Sequence, residues 1–114
     1  MVFDCFKEED GVAVARSLLQ MEERPEVFIV TGDHVAAGLI IEARKHGLRI
    51  PQDVAVMGFD NQPIGRLLDI TTIDNHLYDM GAAAFRIIHE QIRTGNRQPV
   101  YRKLDYRIIE RGTV

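Results

Sequence analysis

Three carboxylates stand at or just after short apolar, β-branched runs. Asp33 follows Val27-Phe28-Ile29-Val30, Asp60 follows Val54-Ala55-Val56-Met57, and Asp74 follows Ile70-Thr71-Thr72-Ile73. Runs of this kind read as buried strands. In an open parallel sheet, ligands sit in the crevice outside the carboxyl ends of the strands, so the three acids can converge on one edge. Gathered there, they could work as general acid and base. They could equally cap helices and accept hydrogen bonds from the hydroxyls of a polyol or sugar. Catalysis would need a nucleophile or a phosphate cradle beside them. The chain has no Gly-x-Gly-x-x-Gly, no Walker-type loop and no Gly-x-Ser-x-Gly elbow. Binding is therefore the reading the residues favour. Asp60 is the first candidate, because Gly58-Phe59-Asp60-Asn61 places an acid where its strand runs out. The plainer alternative is an Asp-Asn turn that merely ends the strand.

Other chemistry finds little support. The four histidines (His34, His46, His76 and His89) fall in no zinc-ligand spacing, and the single Cys5 cannot complete one, so no metal site is expected. One cysteine also excludes an internal disulfide framework and fits a reducing compartment. A phosphoacceptor receiver domain would need an acidic pair after the first strand and a lysine ending the last, and neither is evident. With 14 basic against 17 acidic residues the formal net charge is -3, which argues against a surface devoted to phosphate backbones. No stretch is long and apolar enough to span a bilayer, and the start lacks the pattern of a secretion signal. Cytosol is the expected compartment.

The elements that must carry these residues alternate. Val2–Phe6 reads as a strand, followed by a helix with acids at its start (Glu8, Glu9, Asp10) and apolar residues at Val12, Ala15, Leu18 and Leu19. Glu26–Val30 is the next strand. A helix carries Val35, Ala36, Leu39, Ile40 and Ala43 on one face and closes at Gly47. The Val54–Phe59 strand follows, then a helical turn over 63–68 and an extended piece over 70–73. Residues 77–93 form the clearest helix, stopped by Thr94-Gly95-Asn96. Val100–Leu104 and Tyr106–Glu110 read as two closing strands. The 114 residues suit one α/β domain: a three-layer parallel sheet with helices on both faces.

The run Gly47-Leu48-Arg49-Ile50-Pro51-Gln52-Asp53-Val54-Ala55-Val56-Met57-Gly58-Phe59-Asp60 carries more than a fold class. So do Thr31-Gly32-Asp33-His34-Val35-Ala36-Ala37-Gly38 before it and Leu68-Asp69-Ile70-Thr71-Thr72-Ile73 after it. Together they resemble the effector-binding domain of the LacI/GalR family of bacterial transcription regulators, over essentially the whole chain. The resemblance implies a periplasmic-binding-protein-like fold in which two subdomains close over a small molecule. It implies no enzyme activity and no cofactor. By position it places effector contacts at Phe6, Gly32, Asp33, Asp60 and Asn75. Gly32 stands where an asparagine or serine is usual, and Asp74-Asn75-His76 replaces the commoner Arg-Gln-Pro, so the effector's identity stays open, a sugar being the default. Residues 1–76 and 100–114 would form the C-terminal subdomain, with 77–99 belonging to the other one. The DNA-binding headpiece would lie outside this sequence, leaving the chain a truncated domain that reaches DNA only through the full-length protein. Apolar residues along the 77–93 helix would then lack cover, and self-association as a dimer is expected. A periplasmic solute-binding protein and a small α/β enzyme using Asp33 and Asp60 are the alternatives.

Overall fold

Acidic side chains opening a stretch of helically spaced apolar residues make Glu8–Leu19 a helix, α1. Asp10 reaches back from its first turn to accept the backbone N–H groups of Phe6 and Lys7, both at 2.8 Å. The computed structural model describes residues 6–114. Most of the strand expected over Val2–Phe6, and Cys5 with it, lies outside the described residues; Phe6 itself is in no strand. The elements then run β1 (Val27–Ile29), α2 (Asp33–Lys45), β2 (Ala55–Phe59), α3 (Pro63–Leu67), β3 (Thr71–Asp74), α4 (Leu77–Thr94) and β4 (Arg107–Ile109). Gly47, at φ 85°, and Gly95, at φ 69°, supply the left-handed residues that end α2 and α4.

The strands form one sheet in the order β1-β2-β3-β4. The first three are parallel, joined by α2 and α3, and β4 is antiparallel to β3. A mixed α/β architecture with a mainly parallel sheet is thus what the sequence pattern called for. Only one closing strand forms. Val100–Leu104, expected as its companion, is irregular, because it runs beside α4 instead of along a sheet edge. Gln91 Nε2 donates to the Gln98 carbonyl there, at 2.7 Å.

The core lies on one face of the sheet. Val14, Ala15 and Leu18 of α1 meet Ala36, Leu39, Ile40 and Ala43 of α2, over Val54, Val56 and Ile70. The two helices cross at backbone contact. A β-carbon on Gly11 would overlap the Val35 carbonyl oxygen, and one on Gly38 would overlap that of Glu8. The opposite face follows from the strand register: Ile29 beside Met57, and Phe59, Ile73 and Ile108 in one row. These side chains are half-buried or exposed, so no helix of the described residues covers them fully. Helix α4 leaves the sheet altogether, burying only Ala83 of its 18 residues, and the molecule measures 59 × 26 × 19 Å.

Candidate functional site

Parallel pairing of β1, β2 and β3 brings their carboxyl ends to one rim, and the expected acids follow from it. Asp60 sits immediately past β2. Its N–H donates to the Ile73 carbonyl at 2.8 Å, extending the ladder by one residue. It then turns left-handed (φ 82°), as does Asn61 (φ 47°). Two consecutive non-glycine residues at positive φ are uncommon, and such geometry costs on the order of 1–3 kcal/mol per residue and concentrates at ligand sites. The Asp60 side chain is half-buried, and Asn75 Nδ2 donates to its Oδ1 at 3.0 Å. Among the described residues nothing engages Oδ2. Asp60 is thus a carboxylate with a fixed orientation and an acceptor to spare.

Of the five residues expected to meet an effector, the structure joins two, Asp60 and Asn75. Gly32, at the N-cap of α2, faces open space: a β-carbon there would meet nothing within 4 Å. Phe6 precedes α1 and is 78% exposed. His34 Nδ1 lies 2.6 Å from Glu8 Oε1, so the start of α1 sits beside the start of α2 at this same rim. Asp33 differs. It is 0% exposed, with Oδ1 accepting the Thr72 hydroxyl (2.7 Å) and Oδ2 the Gln62 N–H (2.6 Å). The direct contact expected of Asp33 therefore has no surface from which to be made.

Four residues that the sequence reading did not single out as contacts complete the rim. Asn61 Nδ2 donates to Asp74 Oδ2 at 3.4 Å, and Asn61 Oδ1 accepts Arg111 Nη2 at 2.8 Å. Arg107 donates twice to Asp74 Oδ2, at 3.0 and 3.2 Å. Thr72 Oγ1 accepts the Asn61 N–H at 3.3 Å. Asp74 also accepts the His76 N–H at 2.9 Å, and that bond first, then the Arg107 guanidinium, holds its carboxyl below the ordinary range against the opposing effect of burial. Beside the rim, a groove of about 280 Å³ lies between the base of α4 and the returning chain, lined by Asn75, Met80, Arg102, Leu104, Asp105 and Tyr106. No group of three or more His, Cys, Asp or Glu side chains suited to a metal ion occurs among the described residues. Among the described residues the rim offers carboxylate and amide groups in fixed directions, acceptors and donors of the kind that hydroxyl groups can pair with.

Comparison with known proteins bears out the fold. Residues 4–114 match the family described as a periplasmic binding protein-like domain. The chain is 41% identical over 106 residues to an uncharacterized HTH-type transcriptional regulator, YkvZ, of Bacillus subtilis (strain 168), covering 92% of this chain and 32% of that protein. A LacI-type transcription regulator from Bifidobacterium animalis subsp. lactis superposes with a TM-score of 0.87 at 28% identity, over 94% of this chain and 39% of that one. A LacI family transcriptional regulator from Lactobacillus casei with bound sucrose superposes with a TM-score of 0.84 at 25% identity, over 96% and 42%. The chain spans about a third of the length of the curated relatives it matches.

Proposed function

The chain belongs to the periplasmic binding protein-like domain family, and on that premise we propose that it is the effector-sensing part of a LacI-type regulator of transcription. Its ligand is a small polyhydroxylated molecule, a sugar first of all. The observation that carries this reading is Asp60: a half-buried carboxylate at a parallel strand's tip, oriented by Asn75, with open space over Gly32 nearby. The sucrose held by the Lactobacillus casei regulator supports the choice of ligand class. Residues 77–99 form a unit apart from the sheet, to be covered by a second lobe or a second copy of the chain. DNA is reached only through a further domain, and the protein works in the cytoplasm. No helix among the described residues is long and apolar enough to cross a membrane. The named relatives are regulators, not enzymes.

An NMR titration of the 15N-labelled chain with sucrose, cellobiose and a purine base tests the site. Amide shifts are expected at Gly32, Asp60 and Asn75 with one of them. A hydrogen bond to a charged group contributes about 1.5–3 kcal/mol, so Asp60→Asn should weaken that binding roughly 10- to 150-fold. Shifts that miss this rim with every compound would sink the proposal.

A further inference from the structure

We infer that Asp33 is a positioning residue: from inside the fold it sets the 60–62 turn that aims Asp60 at the rim. The inference takes its functional meaning from the reading of Asp60 as a ligand contact, while the turn itself can be examined with no ligand at all.

Asp33 opens α2, a place where an acid ordinarily faces water and the helix dipole. Here the carboxylate turns inward and is enclosed by three other elements. Its Oδ1 fills the space where a β-carbon of Gly58 in β2 would stand, and its Oδ2 the corresponding space at Gly65 in α3. Thr72 of β3 contributes the hydroxyl. Both of its side-chain hydrogen bonds lead to the 60–62 turn. Gln62 N–H binds Oδ2 directly. The second path runs through Thr72. A carboxylate only accepts, so the Thr72 hydroxyl hydrogen must point at Asp33, which leaves its lone pairs for the Asn61 N–H. The two residues after Asp60 are therefore hung from one buried anion, by one direct bond and one relayed bond. That is what holds two consecutive left-handed residues in place. It also fixes the backbone from which Asp60 reaches Asn75.

Asp33→Asn keeps the size and replaces one acceptor oxygen with a donor. If the new NH2 faces Gln62, two donors oppose each other. If it faces Thr72, the hydroxyl must reverse and its hydrogen has no acceptor. Either way one bond is lost at a carboxyl and a hydroxyl that are both fully buried.

The test is the 15N–1H spectrum of the full 114-residue chain, wild type against Asp33→Asn, followed by titration with sucrose. The Gln62 amide should move upfield on losing its carboxylate partner. The Asp60 and Asn61 amides and the Asn75 side-chain amide should move with it, while the amides of Val14–Leu18 and Leu39–Ala43 stay. Sucrose affinity should fall about tenfold or more. Thr72→Ser should keep the wild-type pattern, and Thr72→Val should shift Asn61 and Asp60. If Asp33→Asn does not fold, that threonine pair carries the test alone. Shifts confined to residues 33 and 62, or spread evenly through both helices, would overturn the inference, as would a Thr72→Val spectrum unchanged at Asn61. If the turn moves as expected while Asp60→Asn leaves the ligand-induced shifts unaltered, or sucrose, cellobiose and a purine base all shift nothing in either protein, the ligand reading fails and the positioning role stands.

Discussion

At the scale of single residues, Asp53 sets part of the protein's acid limit. Arg49 encloses it with three donors: the backbone N–H at 2.7 Å, Nε at 3.1 Å and Nη2 at 2.6 Å. The side-chain bonds first, then the backbone one, bring its pKa from an ordinary 3.8 to about 2. A depressed carboxyl stabilises the folded state above its unfolded value, and the contribution disappears as pH falls through the folded one. Asp53 should therefore act in full above about pH 4 and be lost toward about pH 2. Thermal melts from neutral pH down to about pH 2 should show a shallower acid-side decline for Asp53→Asn than for wild type. Identical profiles would mean the pair is dissolved by solvent. Glu42 is a second such case: Arg16 Nε, at 2.9 Å, is the main cause of its lowered pKa, with His46 and Lys45 adding to it against burial.

At the scale of elements, the α1–α2 crossing depends on having no side chain at Gly11 and Gly38. Gly38→Ala would drive a methyl into the Glu8 backbone, which cannot yield as a flexible side chain would. Overpacking in a close-packed interior costs typically 1–3 kcal/mol, and denaturant melts should show a loss at least that large. A change under about 0.5 kcal/mol, ordinary for surface substitutions, would contradict the crossing. Such packing was not legible in the sequence, where a mid-helix glycine reads only as a weak helix former. The elements themselves were legible, because periodicity and stop signals agreed: α4 with its apolar spacing and Gly95, and β2 with its β-branched run. Val100–Leu104 misled because a few β-prone residues such as Val100 and Tyr101 say nothing about whether a strand edge is at hand. At the rim, Asp60 could be found as a strand-end residue, and Asn75 only through the family resemblance. Asn61, Thr72, Arg107 and Arg111 could not, because their bonds span 11 to 50 positions. The burial of Asp33 could not be read either, since nothing local tells an inward first-turn acid from an outward one.

At the scale of the whole molecule, two apolar surfaces lack cover among the described residues. One is the sheet face bearing Ile29 and Ile108. The other is the flank of α4 bearing Phe85, Ile88 and Ile92, with Phe85 69% and Ile92 78% exposed. Phe85 stacks on the His89 ring, with centroids 5.9 Å apart. Exposed apolar area of this kind favours association. Sedimentation velocity should find the wild-type chain self-associated and Phe85→Glu/Ile92→Glu shifted to monomer. A wild type that is monomeric across the micromolar range would remove the prediction.

Asp74 accepts from His76, where the chain departs for α4, and from Arg107, where it comes back. Both legs of the excursion are thus pinned to one carboxylate next to Asn75. An 18-residue helix is roughly 27 Å long, so a swing of about 5° around that fulcrum carries its tip roughly 2 Å. A small reorientation of Asn75 toward a guest would be read out, magnified, at the far end of the lever.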